Sequence, residues 1–330
     1  MMQTCFQYPL RHTGKSLFSL RADWLIALAP LLLWGVFVFG LRTLTVAVLS
    51  VGSCYILEFL FRLILKKPLS GDLFSPAVTG LLLSLTLPYT VPFWTVPVGA
   101  LIAVSLSKSA LFLGRCPLHP ALCGGVVVQL AFPNAGVPSE FEKLGLFQSP
   151  DSSFFSGNAP LYSLLSYDPS SRPDYDSVLN SFLGLETGVI GEVSVLLLLL
   201  CALWLFFRKA IDWCIPVGFV FTVAVVTYLF PAEGFARMEL PYALAHLCTG
   251  GVAFGALLLA PDPTASPLTP GLRWCYGIGC GAMTVLLRYI LRSEGVYLSI
   301  LAMDLLFFFL ERSRLVVPSP FGGKRARNNN

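Results

Sequence analysis

The sequence predicts an all-α polytopic membrane protein of about ten transmembrane helices, arranged as a 5+5 inverted repeat that includes short and broken helices. Three observations carry that prediction. Hydrophobic residues fill 55% of the 330 positions and charged residues only 12%, about half the charge of an ordinary soluble domain. Ten apolar stretches match or approach the ~20 residues of helix that a bilayer core demands. Lys and Arg gather on alternate connections between those stretches.

Residues 1–21 are basic and lack the short apolar core and small-residue cleavage site of a removable signal. They are expected to be a cytoplasmic segment. Candidate spans follow at 22–40, 43–65, 73–88, 91–110 and 117–132, which together make a first membrane repeat over 22–132. The third, "LFSPAVTGLLLSLTLP", is short and bracketed by prolines, so it reads as a broken helix that lines protein rather than lipid. Residues 133–187 form the one long hydrophilic connection and carry an excess of Asp and Glu. The second repeat, 188–312, holds candidate spans at 188–206, 213–230, 241–260, 274–292 and 296–311, and a basic tail fills 313–330. Its third member, ending in "GALLLAPDP", has the same broken character.

With ten spans and the N-terminus inside, the cytoplasmic connections carry Arg11, Lys15, Arg21, Arg62, Lys66, Lys67, Lys108, Arg115, Arg208, Lys209, Arg273, Arg312, Arg314, Lys324, Arg325 and Arg327. Only Arg42, Lys143, Arg172, Arg237 and Arg292 fall outside. Both termini are therefore expected in the cytoplasm and the 133–187 loop on the outer, extracytoplasmic side. Five is odd, so the second group of spans must enter the bilayer with opposite polarity. The net charge of +4 is small and lies in short clusters between spans, which excludes a nucleic-acid groove and leaves membrane lipid as the surrounding partner. The nine cysteines are scattered without a C-x-x-C pair, so neither a metal site nor a disulfide framework is expected.

Ionisable residues inside spans are costly and often functional. Glu58, Glu192 and Asp304 are the ion or proton pathway candidates, and Arg288 is a fourth buried ionisable group. Glu58 and Arg62 can simply pair with each other at i,i+4. Asp304 has no local partner in "LSILAMDLLFFFLER". His119 and His246, near span starts, read as structural. The small-residue runs "AVTGLLL", "TGGVAFGA" and "GIGCGAM" suit close helix packing first and a flat ligand second. Where such a run meets a proline break, Thr79, Gly80, Asp262, Thr264, Ser266 and Thr269 could serve a polar ring edge or phosphate. No nucleophile triad, P-loop or dinucleotide-binding motif is present, and no catalytic residue is expected.

Four stretches carry a family resemblance: Ser70–Lys108, Phe182–Leu199, Ile211–Phe230 and His246–Arg288. In order and content they resemble the RnfD/NqrB family, and RnfD most, from about Ser16 to Gly322. The resemblance implies a membrane subunit of an ion-translocating ferredoxin:NAD oxidoreductase complex, working with an outer-side flavoprotein and membrane iron–sulfur subunits. It implies flavin, FMN and riboflavin, with one FMN esterified to a threonine in an outer-side S-G-A-T-P-L-like motif. Here the motif's place is held by Ser156, Gly157, Asn158, Ala159, Pro160 and Leu161. Ala159 stands where the threonine would align, and no threonine occurs between Pro133 and Glu186. A flavin at this turn is therefore expected to be noncovalent, the alternative being that Ser156 or Ser163 takes the place of the threonine. Two further departures are His119 in the family's N-P-A-L and Asp304 at a usual asparagine. The expected location is the bacterial inner membrane. The competing expectation is a redox-inactive transporter, channel or structural scaffold on the same fold.

Overall fold

A computed structural model describes residues 17–64, 66, 74–88, 91–113, 116–132, 175–184, 189–192, 194–232, 239–267, 269–291 and 294–316. In chain order these form α1 (Leu17–Phe39), α2 (Leu41–Ile64), α3 (Phe74–Thr86), α4 (Thr95–Leu113), α5 (Pro120–Ala131), α6 (Tyr175–Leu183), α7 (Val195–Phe207), α8 (Cys214–Leu229), α9 (Leu240–Cys248), α10 (Val252–Leu259), α11 (Pro270–Leu291) and α12 (Val296–Val316). Helix stands at every one of the ten predicted spans, and no strand is present among the described residues. The additional helix, α6, belongs to the 133–187 connection.

The helices are unequal. Phe18–Phe39, Leu41–Ile64 and Gly271–Leu291 are each long and apolar enough to cross a bilayer, whereas Phe74–Thr86, Pro120–Ala131 and Val195–Phe207 are short apolar helices. A helix of 13 residues rises only ~20 Å, against the ~30 Å of a hydrocarbon core. Breaks shorten α3 and divide α9 from α10. Helix α3 stops before Pro88, and the chain runs through residues 91–94 into α4. Helices α9 and α10 make one predicted span bent by 64° at Thr249–Gly251. Gly250 and Gly251 turn there with φ of 61° and 72°, a left-handed conformation that a side chain disfavours. Beyond the bend, Gly255–Leu259 winds as a π-helix, a form that recurs at functional sites.

Helix α2 shows which solvent the exterior meets. Its inward face carries Arg42, Thr43, Ser50 and Ser53, while Val48, Ile56 and Ile64 are 65%, 63% and 72% exposed. Water would favour the reverse; lipid favours this arrangement. Together with exposed Leu33, Phe37 and Phe221, this identifies a membrane protein, one in which α2 turns polar side chains inward.

The two halves repeat one packing plan. Helix α2 packs on α3 and α4, and α8 packs on α9 and α11. Helix α4 lies on α5 as α11 lies on α12. Between halves, equivalent members meet: α1 touches α7, and α5 touches α12. Such self-pairing of like elements is what an approximate two-fold axis produces. A single apolar cluster, including Leu28, Leu83, Phe219, Phe254 and Ile300, runs through both halves.

Candidate functional site

The broken helices meet around residues 190–192, a turn of 3-10 helix just before α7. Ile190 N–H bonds Leu87 C=O at 3.4 Å, at the end of α3. Gly191 fits between the halves: a Cβ there would come within 2.7 Å of Leu85 C=O and 3.1 Å of the Phe254 ring. Glu192 then reaches the α9–α10 break, where its carboxylate faces Gly251 and accepts the hydroxyl proton of Tyr297 from α12.

Arg288 holds that same break from the other side. Its side chain is fully buried, and its guanidinium donates to four main-chain carbonyls: His246 at 2.8 Å, Thr249 at 2.8 Å, Gly250 at 2.9 Å and Glu294 at 3.1 Å. The first three are carbonyls that a continuous helix would have satisfied itself. A cation at the C-terminal end of α9 also meets the negative end of its dipole. Glu192 and Glu294 are the acidic side chains that act on its charge. Arg288 Nη1 further lies 3.1 Å from His246 Nδ1. Because arginine only donates, that nitrogen holds a lone pair and the ring proton sits on Nε2.

A second buried polar group joins α5, α11, α12 and the turn after α10. His119 is the N-cap of α5, its ring accepting from Leu122 N–H at 3.2 Å. Its Nε2 lies 2.9 Å from Asp262 Oδ2, and its backbone N–H bonds Asp304 Oδ2 at 3.0 Å. Asp304 Oδ1 accepts from the Tyr276 hydroxyl at 2.6 Å. Asp262 shapes its own turn by accepting Thr264 N–H on Oδ1 at 3.0 Å. Asp304 thus finds partners on two other helices.

The remaining predicted residues are dispersed. Glu58 pairs with Arg62 at 2.8 Å and also with Lys108 of α4. Gly80 lies against α2: a Cβ would meet Val51 Cα at 2.7 Å, and Ser50 Oγ donates to Gly80 C=O at 2.7 Å. Its neighbour Thr79 is half-buried on α3. Thr269, exposed, bonds Glu311 through both its backbone N–H and its hydroxyl. Ser266 is buried in the turn and Thr264 is exposed. The run at Gly277 and Gly281 is helix packing, since added Cβ atoms would strike Ile215 C=O at 2.6 Å and Phe219 C=O at 2.7 Å on α8. The turn Ser156, Gly157, Asn158, Ala159, Pro160 and Leu161 lies outside the described residues.

Sequence reasoning set His119 and His246 aside as structural and did not carry Arg288 into the site. For the histidines the available signal was a place just before Pro120 and a few residues before Gly250 and Gly251, where helix ends leave backbone groups needing partners; Arg288, inside α11, carried none. Tyr276 and Tyr297 carry no such signal, because an apolar helix accommodates tyrosine without comment.

Comparison with known proteins agrees with this architecture. The chain is 31% identical over 298 residues to the D-type subunit of the Na(+)-translocating ferredoxin:NAD(+) oxidoreductase complex of Acetobacterium woodii, covering 89% of this chain and 88% of that protein. It is 30% identical over 320 residues to the D-type subunit of the proton-translocating ferredoxin:NAD(+) oxidoreductase complex of Clostridium ljungdahlii, covering 91% and 90%. Against the B-type subunit of the Na(+)-translocating NADH-quinone reductase of Azotobacter vinelandii it is 30% identical over 319 residues, covering 91% of this chain but 76% of that one. The family match itself spans residues 5–322, nearly the whole chain and both of its helical halves, and so this membrane protein belongs to the NQR2, RnfD, RnfE family.

Proposed function

We propose that the chain is the D-type subunit of an Rnf-like ion-translocating ferredoxin:NAD oxidoreductase complex in the bacterial inner membrane. In this reading it stands between an outer-side flavoprotein and membrane iron–sulfur subunits, and it holds FMN or riboflavin without a covalent bond. It catalyses nothing alone; the complex couples electron transfer to Na⁺ or H⁺ movement. The observation that carries the reading is coverage. The two D-type relatives align over about nine-tenths of both chains, so the likeness extends through both helical halves and the connection between them.

A bound flavin supplies one- and two-electron transfer, and the protein supplies position and electrostatics. The noncovalent mode rests on Ala159, which has no hydroxyl to esterify, with Ser156 and Ser163 not standing in for the threonine. Leftover hydrogen-bonding capacity supports a polar ligand: Thr43 Oγ1 and His246 Nε2 are buried with no partner among the described residues. Gly80 does not suit a flavin, since α2 occupies the space beside it. In this reading Ser156 to Leu161 offer the outer-side turn, and Glu192 and Asp304 are the groups for a cation or proton path. The domain limits are 1–21, 22–132, 133–187, 188–312 and 313–330, with the 133–187 segment outside.

The test is purification of the native complex, an absorbance spectrum, and flavin fluorescence on a denaturing gel. The expected result is flavin present in the native complex and absent from this subunit's band after denaturation. Fluorescence that stays on the band would overturn the noncovalent reading. A colourless native complex would favour the redox-inactive transporter or scaffold.

A further inference from the structure

The hydrogen bonds around His119 fix which proton its ring carries. Nδ1 accepts from Leu122 N–H, so it holds a lone pair. A neutral imidazole has one ring N–H, which must then sit on Nε2, 2.9 Å from Asp262 Oδ2. Protonating Nδ1 would set one N–H against another and remove the cap of α5. The ring is therefore held in a single tautomer by its two neighbours.

That tautomer serves two elements at once. Ser, Thr, Asp and Asn are the common helix N-caps, and any of them could satisfy Leu122 N–H. They are too short to satisfy Asp262 as well. Histidine reaches across from the first half of the molecule to the turn after α10 in the second. Its backbone N–H meanwhile reaches Asp304 on α12. Asp262 is 6% exposed, and its carboxylate organises the turn through Thr264 N–H while its backbone C=O accepts from Ser266 N–H at 3.1 Å.

We propose that His119 is a positioning residue bridging the two halves: a neutral, Nε2-protonated imidazole that caps α5 and fixes the 260–267 turn through Asp262. This joint stands whether or not a flavin is bound. It assigns His119 a role beyond that of a helix cap, and it predicts that the two roles separate by side-chain length.

The experiment is amide hydrogen exchange by mass spectrometry on the full chain in lipid nanodiscs. His119→Asn keeps a cap acceptor and loses the bridge. Peptides covering 119–126 are expected to exchange as in the wild type, while those covering 260–267 exchange about tenfold faster, the order of one lost hydrogen bond to a charged group. His119→Ala loses both, and both peptides are expected to exchange faster. Should His119→Ala fail to fold, His119→Asn alone carries the test. Exchange of the 260–267 peptides within about twofold of wild type in His119→Asn would overturn the proposal, as would equal acceleration of both segments, which is what mere destabilisation gives. A second readout is the ¹⁵N spectrum of selectively histidine-labelled protein near neutral pH. The signals lost in His119→Asn are expected to be those of an Nε2-protonated ring; an imidazolium or an Nδ1-protonated ring would overturn the assignment.

Discussion

Arg288 and Glu58 are both ionisable side chains within apolar helices, and the protein accommodates them differently. Glu58 meets two cations, Arg62 and Lys108, whereas Arg288 spends its guanidinium on four main-chain carbonyls at the α9–α10 break. A planar fork of five N–H donors can reach several carbonyls at once; a lysine ammonium has three donors on one atom and cannot span them. Arg288→Lys is therefore expected to cost about 2 kcal/mol, leaving one or two buried carbonyls bare. Arg288→Met should cost more, about 3–5 kcal/mol, since all four buried carbonyls lose their donor. Thermal unfolding of the three proteins in one detergent checks the order, wild type above Lys above Met. A Lys variant as stable as the wild type would show that the fork geometry is irrelevant.

At the scale of helices, small residues decide how closely the elements approach, and identical letters in the sequence do different work. Gly52 on α2 has nothing within 4 Å of where a Cβ would be, whereas Gly80 on α3 has Val51 Cα at 2.7 Å and Val51 N at 3.0 Å. A backbone atom cannot swing aside as a side chain can. Gly80→Ala is thus expected to destabilise by about 1–3 kcal/mol through overpacking. Gly52→Ala should stabilise by about 0.5–1 kcal/mol, because alanine loses less backbone freedom in a helix. Parallel unfolding curves for the two variants test this, and equal shifts would refute the packing of α2 on α3. The same comparison shows what was legible beforehand. Apolar runs located all ten helical spans and prolines the end of α3, because those signals are local, whereas the second break falls at Gly250 and Gly251 rather than at the prolines after α10 to which the sequence pointed. Whether "AVTGLLL" served a ligand or a neighbouring helix was not legible, since the answer lies in Val51, 29 positions earlier in the chain. His119, Asp262 and Asp304 were each visible as residues; their meeting was not, because 143 and 185 positions separate His119 from its two partners.

For the whole molecule, the packing plan constrains membrane sidedness. Like elements of the two halves meet each other, α1 with α7 and α5 with α12, while α2–α3–α4–α5 and α8–α9–α11–α12 repeat one internal arrangement. Two copies of a five-span unit joined in one chain can face each other about an axis in the membrane plane only if the second enters from the opposite side. On the proposed arrangement, an odd number of spans per unit gives that inversion without any extra crossing and returns the C-terminus to the side of the N-terminus. The basic residues agree, since Arg312, Arg314, Lys324, Arg325 and Arg327 follow the last span and Arg11, Lys15 and Arg21 lie at or before the start of the first. Fusions test the arrangement directly. Green fluorescent protein, which matures only in the cytoplasm when exported unfolded, is expected to fluoresce at either terminus. Alkaline phosphatase, which needs an oxidising compartment, should be active only when inserted near residue 150 in the acidic connection. Phosphatase activity at the C-terminus, or fluorescence from an insertion near residue 150, would mean that one half carries an even number of crossings, and the two-fold relation between α5 and α12 would then need another origin.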